Sequence, residues 1–381
     1  MKPSYFANED QASVTDLSAI CGKRISPDDY PLATDIQSDV LIYDREVLDD
    51  AATTNKLAVL SELHKAFSDG PGVIVVRALY PQSYIVDRAS QAFETIMQEE
   101  AKTKVQADHF SRAGNNGRIW NALQKLAEVS PEIFCEYYAN STLEMVCQAW
   151  LGPAWRMTSQ VNQVRPGGEA QQAHRDYHLG FQQSAFAAEF PVPVQVMSQY
   201  LTLQGAVAHT DMPLESGPTR LLPWSHQYEL GYLSYRRPEF IDYFNKNFVQ
   251  LPLRKGDGLF FNPALFHAAG NNTTQDKIRT ANLLQISSAF GVPMEEVNHE
   301  KMLKLLYPVM MKSTLNRQDL NALIAVAARG YSFPTNLDTD PPVGGLVPKT
   351  QQQLVRESLS SELSYEEFTR QLDEHTERRK A

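Results

Sequence analysis

The chain has 381 residues, 43% of them hydrophobic, with 16 Tyr and 17 Phe. That is enough apolar material for one large domain or two modest ones with a packed core. A formal net charge of −10 argues against a polyanion-binding surface, so nucleic acid is not an expected partner.

The three cysteines, Cys21, Cys135 and Cys147, are odd in number and form no CxxC pair, which fits a reducing compartment. No apolar signal-like segment opens the chain, and no run of about 18 apolar residues occurs. The expectation is a cytoplasmic protein with no membrane partner.

Residues 1–45 are polar and read as an irregular arm. Leu48, Leu57, Leu60, Leu63 and Phe67 recur near a 3.6 period, so 47–68 reads as a helix, stopped at Asp69-Gly70-Pro71-Gly72. Val73-Ile74-Val75-Val76 reads as a short buried strand, and 81–101 as a second helix. The stretch 104–120, with His109, Arg112, Asn115, Asn116, Gly117 and Arg118, reads as a loop, either a plain connector or the lining of an anion site. Residues 130–151 read as one helix closed by Gly152-Pro153.

From Trp155 onward, short strand-like runs alternate with turns. Strands are expected at 156–164, 171–179, 192–203, within 215–226, and at 248–253, 259–261, 266–269 and 279–288, with a short helix at 237–247. Such spacing suggests a β-sandwich or jelly roll, and no glycine-rich phosphate loop follows any strand. Residues 291–381 turn helical, at about 294–306, 316–329, 349–359 and 364–378. The division expected is an arm over 1–45, a β-core domain with supporting helices over 46–290, and a C-terminal helical extension over 291–381.

The stretch Gln171-Gln-Ala-His-Arg-Asp-Tyr-His-Leu179 carries the chemistry. In a strand, His174 and Asp176 project to one face. One imidazole and one carboxylate make two thirds of a facial His-Asp-His site for iron(II). His267 supplies a third nitrogen from a later strand. Arg279, twelve residues on (279 − 267), can grip a distal carboxylate in a bidentate fork. That suits a keto acid chelating the metal at its other end. His178 lies on the same expected face, so a cupin-like site using it stays open beside a second-layer or packing role. His209 and His226 read as structural.

These residues, in this order, resemble the phytanoyl-CoA dioxygenase (PhyH) family of iron(II)- and 2-oxoglutarate-dependent oxygenases. The resemblance runs over roughly 70–290. It is carried by His174-Arg175-Asp176, by Glu-Ser-Gly-Pro-Thr-Arg-Leu-Leu-Pro-Trp-Ser-His at 215–226, by Gly256-Asp257 with Phe260-Phe261, and by His267 with Arg279. The departures are Ser216 for the family's usual Asn, Trp224 for its usual Gly, and an insertion-like stretch near 181–192.

The resemblance implies a mixed α+β fold dominated by a double-stranded β-helix (jelly roll, cupin-like) with flanking N-terminal and C-terminal helices. It implies iron(II) on His174, Asp176 and His267, and 2-oxoglutarate as cosubstrate on Arg279. Gln171, Thr219 and Arg118 stand where family members make further 2-oxoglutarate contacts. The implied partners are a small-molecule substrate and O2, with succinate and CO2 as products, and a homodimer is allowed. Related halogenases replace the carboxylate ligand with a small residue. Asp176 therefore points to hydroxylation, desaturation or ring formation. The rival readings are a catalytically silent binding protein on the same fold and a cupin-type metal oxygenase that needs no keto acid.

Overall fold

Among the described residues, ten strands organise the protein: β1 Asp35–Gln37, β2 Val40–Asp44, β3 Val73–Arg77, β4 Asn116–Ile119, β5 Arg156–Val164, β6 Thr202–Ala208, β7 Arg220–Leu222, β8 Gly258–Phe261, β9 Phe266–Ala268 and β10 Arg279–Ser287. The computed structural model describes residues 5–103 and 116–380, so the expectations for His109, Arg112 and Asn115 lie outside the described residues. Eight strands form one sheet in the order β1-β2-β3-β8-β6-β10-β5-β4, antiparallel except for the β2/β3 pair.

Alternation decides what each face of this sheet meets. Ile74, Val76, Leu203, Val207, Phe260, Leu284 and Ile286 pack against helices in one cluster. Val73, Val75, Leu259, Phe261, Ala208 and Ala281 face the opposite way, toward the second sheet. A Cβ at Gly205 would crowd the Phe260 ring at 2.8 Å, so the glycine makes room for that ring in the helix-side core. Burying a side chain of this size contributes about 2–3 kcal/mol.

The second sheet is short. β7 pairs with β9, and isolated bridges add the chain at His174 on one side and at Val249 on the other. One rung therefore runs His174–His267–Leu221–Val249 across four segments. Leu222, Phe266, Ala268 and Ala173 on its outer face pack under the helices Val14–Cys21 and Pro238–Asn247. The result is a double-stranded β-helix with flanking helices.

Several elements differ from expectation. The arm before residue 45 holds a helix and the two strands β1 and β2 that end the large sheet, not irregular chain. The expected helix at 130–151 is two, Pro131–Tyr138 and Ser141–Leu151, with a further helix, Ala122–Val129, ahead of them, making three in a row. Pro131 starts the second and the Asn140 side chain caps the third, so both interrupt the ladder. The run at 192–203 is a helix over Val192–Ser198 before β6 begins, with Pro191 at its N-cap and Pro193 in its first turn. The Gln195 amide holds that helix to the carbonyls of Ala187 and Phe190. The stretch 248–253 makes only the bridges at Val249 and Leu253.

The C-terminal helices His299–Lys312 and Arg317–Ala327 bury Met302, Leu303, Leu306, Leu323 and Ile324. They pack against the helices at 122–151, behind the large sheet. Among the described residues after 290, the connector preceding them reaches the cavity, through Met294.

Candidate metal centre and cavity

His174 and His267 come together because their segments pair: the isolated bridge joins these two residues. Asp176 follows two residues on, with its backbone N–H donating to the Pro263 carbonyl at 3.0 Å. The side chains of His174, Asp176 and His267 thus converge, each offering one ligand atom, all within 4.8 Å of one another.

The two imidazoles are oriented alike. His174 Nδ1 lies 2.8 Å from the Gln172 carbonyl oxygen and His267 Nδ1 lies 2.9 Å from that of Leu265. A carbonyl only accepts, so each Nδ1 carries the proton and each Nε2 keeps its lone pair. Those Nε2 atoms face the carboxylate, His174 at 3.8 Å from Oδ1 and His267 at 3.5 Å from Oδ2. Gln204 Nε2 donates to Asp176 Oδ2 at 2.5 Å. Asp176 Oδ1 is buried and has no hydrogen-bond partner among the described residues. Such an orphan is costly unless something cationic or protic completes it. Two imidazole lone pairs and an orphaned carboxylate oxygen are a donor set that fits iron(II).

Burial alone would raise the Asp176 carboxyl, but His174, His267 and the Gln204 amide outweigh it and hold it below the usual range. Burial, joined by His267, holds the His174 imidazole below its usual range, which favours the neutral, ligating form.

The triad opens on a cavity of about 660 Å³. Its floor is the inner face of the large sheet, where Ala206, Ala208 and Ala281 stand among Gln160, Asn162, Gln204, Leu283 and Gln285. Arg279 lies at one end, 7% exposed. Its guanidinium reaches only backbone carbonyls, Ser216 at 3.3 Å and Gly270 at 3.5 Å, with no carboxylate within ion-pair distance among the described residues. Burial pulls it down to about 10, which still leaves it charged at neutral pH.

Gln171, Thr219 and Arg118 all line the same cavity. Gln171 exchanges hydrogen bonds with Ala269, its N–H donating to the Ala269 carbonyl at 3.1 Å. Arg118, on β4, donates to Gln160 Oε1 at 3.1 Å. His178 departs from the cluster. The strand expected over 171–179 is only a single bridge at His174, and His178 begins a 3-10 turn with φ of 43°, its Nε2 3.2 Å from Thr202 Oγ1. Alternation therefore does not reach it, and the cupin-like alternative loses its ligand.

Arg175, between the two ligands in sequence, points the other way. It is buried on the outer face and donates to the carbonyls of Ser225 at 2.6 Å and Tyr228 at 2.8 Å. Its guanidinium lies 5.0 Å from the ring centres of Tyr232 and Phe266. It packs so closely on Gly231 that a Cβ there would collide with the guanidinium. The sequence reading missed Arg175, Gln204 and Gln285. A glutamine inside an otherwise apolar strand, as in Thr202-Leu-Gln-Gly-Ala-Val-Ala208, was the available signal.

The sequence profile described as phytanoyl-CoA dioxygenase (PhyH) matches residues 68–281. Dioxygenase trt7 of Aspergillus terreus is 31% identical over 140 residues, covering 36% of this chain and 43% of that protein. This chain thus spans less than half the length of that relative. Dioxygenase cdmD of Talaromyces verruculosus is 25% identical over 297 residues, covering 70% of this chain and 91% of that one. Among solved structures, the non-heme alpha ketoglutarate dependent epimerase SnoN from nogalamycin biosynthesis superposes with a TM-score of 0.44 at 17% identity, over 61% of this chain and 84% of that chain.

Proposed function

The chain belongs to the phytanoyl-CoA dioxygenase family, and from that membership we propose that it is an iron(II)- and 2-oxoglutarate-dependent dioxygenase oxidising a small organic molecule. The observation that carries this reading is one cavity with two unmatched ends. Asp176 Oδ1 and two imidazole lone pairs want a cation at one place, and Arg279 wants an anion at another.

In this reading His174, Asp176 and His267 would hold the iron, each through one ligand atom. When bound, the iron and 2-oxoglutarate supply the oxidising chemistry, with O2 consumed and succinate and CO2 released. Arg279 donates two charge-assisted hydrogen bonds to the distal carboxylate and so sets the cosubstrate's direction. Gln171, Thr219 and Arg118, which line the same cavity, would add contacts. Gln172 and Leu265 hold the imidazoles in one tautomer, and Gln204 holds the carboxylate. The protein's task is placement: it seats the substrate beside the metal and keeps water from the reacting carbon.

Among the described residues, no helix is long and apolar enough to cross a membrane. Three cysteines without a disulfide support a cytoplasmic setting. The same reading keeps the arm over 1–45, the oxygenase domain over 46–290 and the extension over 291–381, with a homodimer allowed.

The test is direct. The chain, reconstituted anaerobically with iron(II) and then given 2-oxoglutarate and O2, should release succinate, and candidate substrates should stimulate that release. No succinate above the metal-free control sinks the reading.

A further inference from the structure

Two glutamines face the cavity beside the triad, and one end of each amide has no task in the reading above. Gln204 on β6 and Gln285 on β10 are direct register partners on neighbouring antiparallel strands. Side chains so placed share a face, with Cβ atoms about 5 Å apart. Both are buried and both line the cavity. Neither Oε1 has a hydrogen-bond partner among the described residues. Buried amide oxygens are nearly always paired, because giving up water without a replacement donor is unfavourable.

The orientation of Gln204 is determined. Its Nε2 donates to Asp176 Oδ2. A carboxylate held ionised only accepts, so the nitrogen must face it and the oxygen is the end left over. Gln285 has no such tether, and its amide can turn either end outward. Asn162 also carries an unpartnered Oδ1. By register it stands beside Arg118 and Ala281, two residues from the partner of Arg279, where the cosubstrate's carboxylate would lie. Its amide can turn to donate its nitrogen to that carboxylate, so the oxygenase reading gives it a partner, whereas Gln204 is held with its oxygen outward.

Much of the nearby wall is apolar, with Leu283, Ala206, Phe261, Phe181 and Met294. The cavity is also far larger than a five-carbon keto acid fills, and lies in the range of sites for drug-sized ligands.

We propose that Gln204 and Gln285 are the polar recognition point for the substrate, and that the substrate is a bulky, uncharged molecule presenting an O–H or N–H donor to Gln204 Oε1. Gln285 completes the contact with whichever end of its amide the same group requires. An ether, or a carboxylate, at this point would face a carbonyl oxygen with nothing to donate. Gln204 then has two partners at once, the metal's carboxylate through nitrogen and the substrate through oxygen. The proposal rests on the oxygenase reading and narrows it to a substrate class.

The test uses the full chain loaded with nickel(II) and 2-oxoglutarate, so that binding is read without turnover. Fused-ring secondary alcohols are titrated calorimetrically in matched trios with their methyl ethers and deoxy parents. The wild type should bind at least one alcohol about tenfold more tightly than its ether and its deoxy parent. Gln285→Leu, which leaves the Gln204–Asp176 bond in place, should cut that preference to about twofold, and Gln204→Leu should abolish it. Equal binding within every trio by the wild type overturns the proposal, as does full preference retained by both variants. Melting curves identify a variant that fails to fold, and the wild-type comparison stands without it. Failure of the oxygenase reading shows separately, as no succinate from 2-oxoglutarate by the iron-loaded wild type.

Discussion

His174 and His267 are backbone partners: each N–H donates to the other's carbonyl, at 2.9 and 3.0 Å. The distance between two of the three candidate metal ligands is thus set by a sheet rung and not by loop conformation. Replacing either imidazole should therefore leave the fold intact and remove the metal. His174→Ala and His267→Ala should each bind well under one iron per chain with an unchanged circular dichroism spectrum and no turnover. A His267→Ala chain with full iron and full activity would remove the assignment.

Arg279 should act on the cosubstrate alone. It would give two charge-assisted hydrogen bonds to one carboxylate, at roughly 1.5–3 kcal/mol each. Arg279→Ala should raise the apparent constant for 2-oxoglutarate at least about tenfold, with iron content near normal. An unchanged constant means the cavity's cation serves another ligand.

Arg175 should matter to stability before it matters to chemistry. It satisfies two buried carbonyls and lies over two rings. Arg175→Ala leaves those carbonyls unpaired and a cavity behind, and should cost about 2–3 kcal/mol in urea melts. Gly231→Ala, which drives a methyl into the same guanidinium, should mimic it. If both melt like the wild type, the outer face of the short sheet is looser than its contacts imply.

Acid should unfold the protein through buried histidines. Burial pulls His209 and His226 down to about 3 from an ordinary 6.5. Their folded-state values are depressed, so below pH 6.5 the unfolded chain binds more protons than the folded one. Stability is then complete above pH 6.5 and is lost as pH falls toward 3, at about 1.4 kcal/mol per pH unit for each group. Urea melts between pH 4 and 8 should show this, and His209→Gln should flatten the slope by about 1.4 kcal/mol per unit. A slope that His209→Gln leaves unchanged would place the acid sensitivity elsewhere.

The C-terminal helices should behave as part of the core. Leu303 is fully buried against the helical layer. Leu303→Ala should cost about 2–4 kcal/mol, and deleting residues from 291 should expose the helices at 122–151 and cost solubility. A truncated chain that stays monodisperse and melts at the wild-type temperature would show the extension to be an appendage.

Much of the strand series was legible because its signals are local. Val73–Val76 and Arg156–Val164 are β-branched or alternating runs bounded by Gly and Pro, and they appear as β3 and β5. His174, Asp176 and His267 could be grouped from spacing and residue type, and their ligand atoms do converge. The misses have physical reasons. Val192–Ser198 has the β-branched composition of a strand, yet Pro191 and Pro193 and the Gln195 side-chain bonds favour a first helical turn. His178 was placed by extending a period-2 pattern beyond the point where pairing stops. Gln285 could not be paired with Gln204 without the sheet order, which no local pattern encodes.

Ala206, Ala208 and Ala281, on the cavity's floor, give the space its room by what they lack. Ala208 and Ala281 belong to the apolar cluster between the sheets, which also holds Leu221 of the histidine rung, and Ala206 lies outside it. Enlarging Ala206 would redraw the chamber without repacking that cluster. The reactive centre and the shape of what reaches it are therefore separately mutable, and a lineage built on this chain could change its diet one codon at a time.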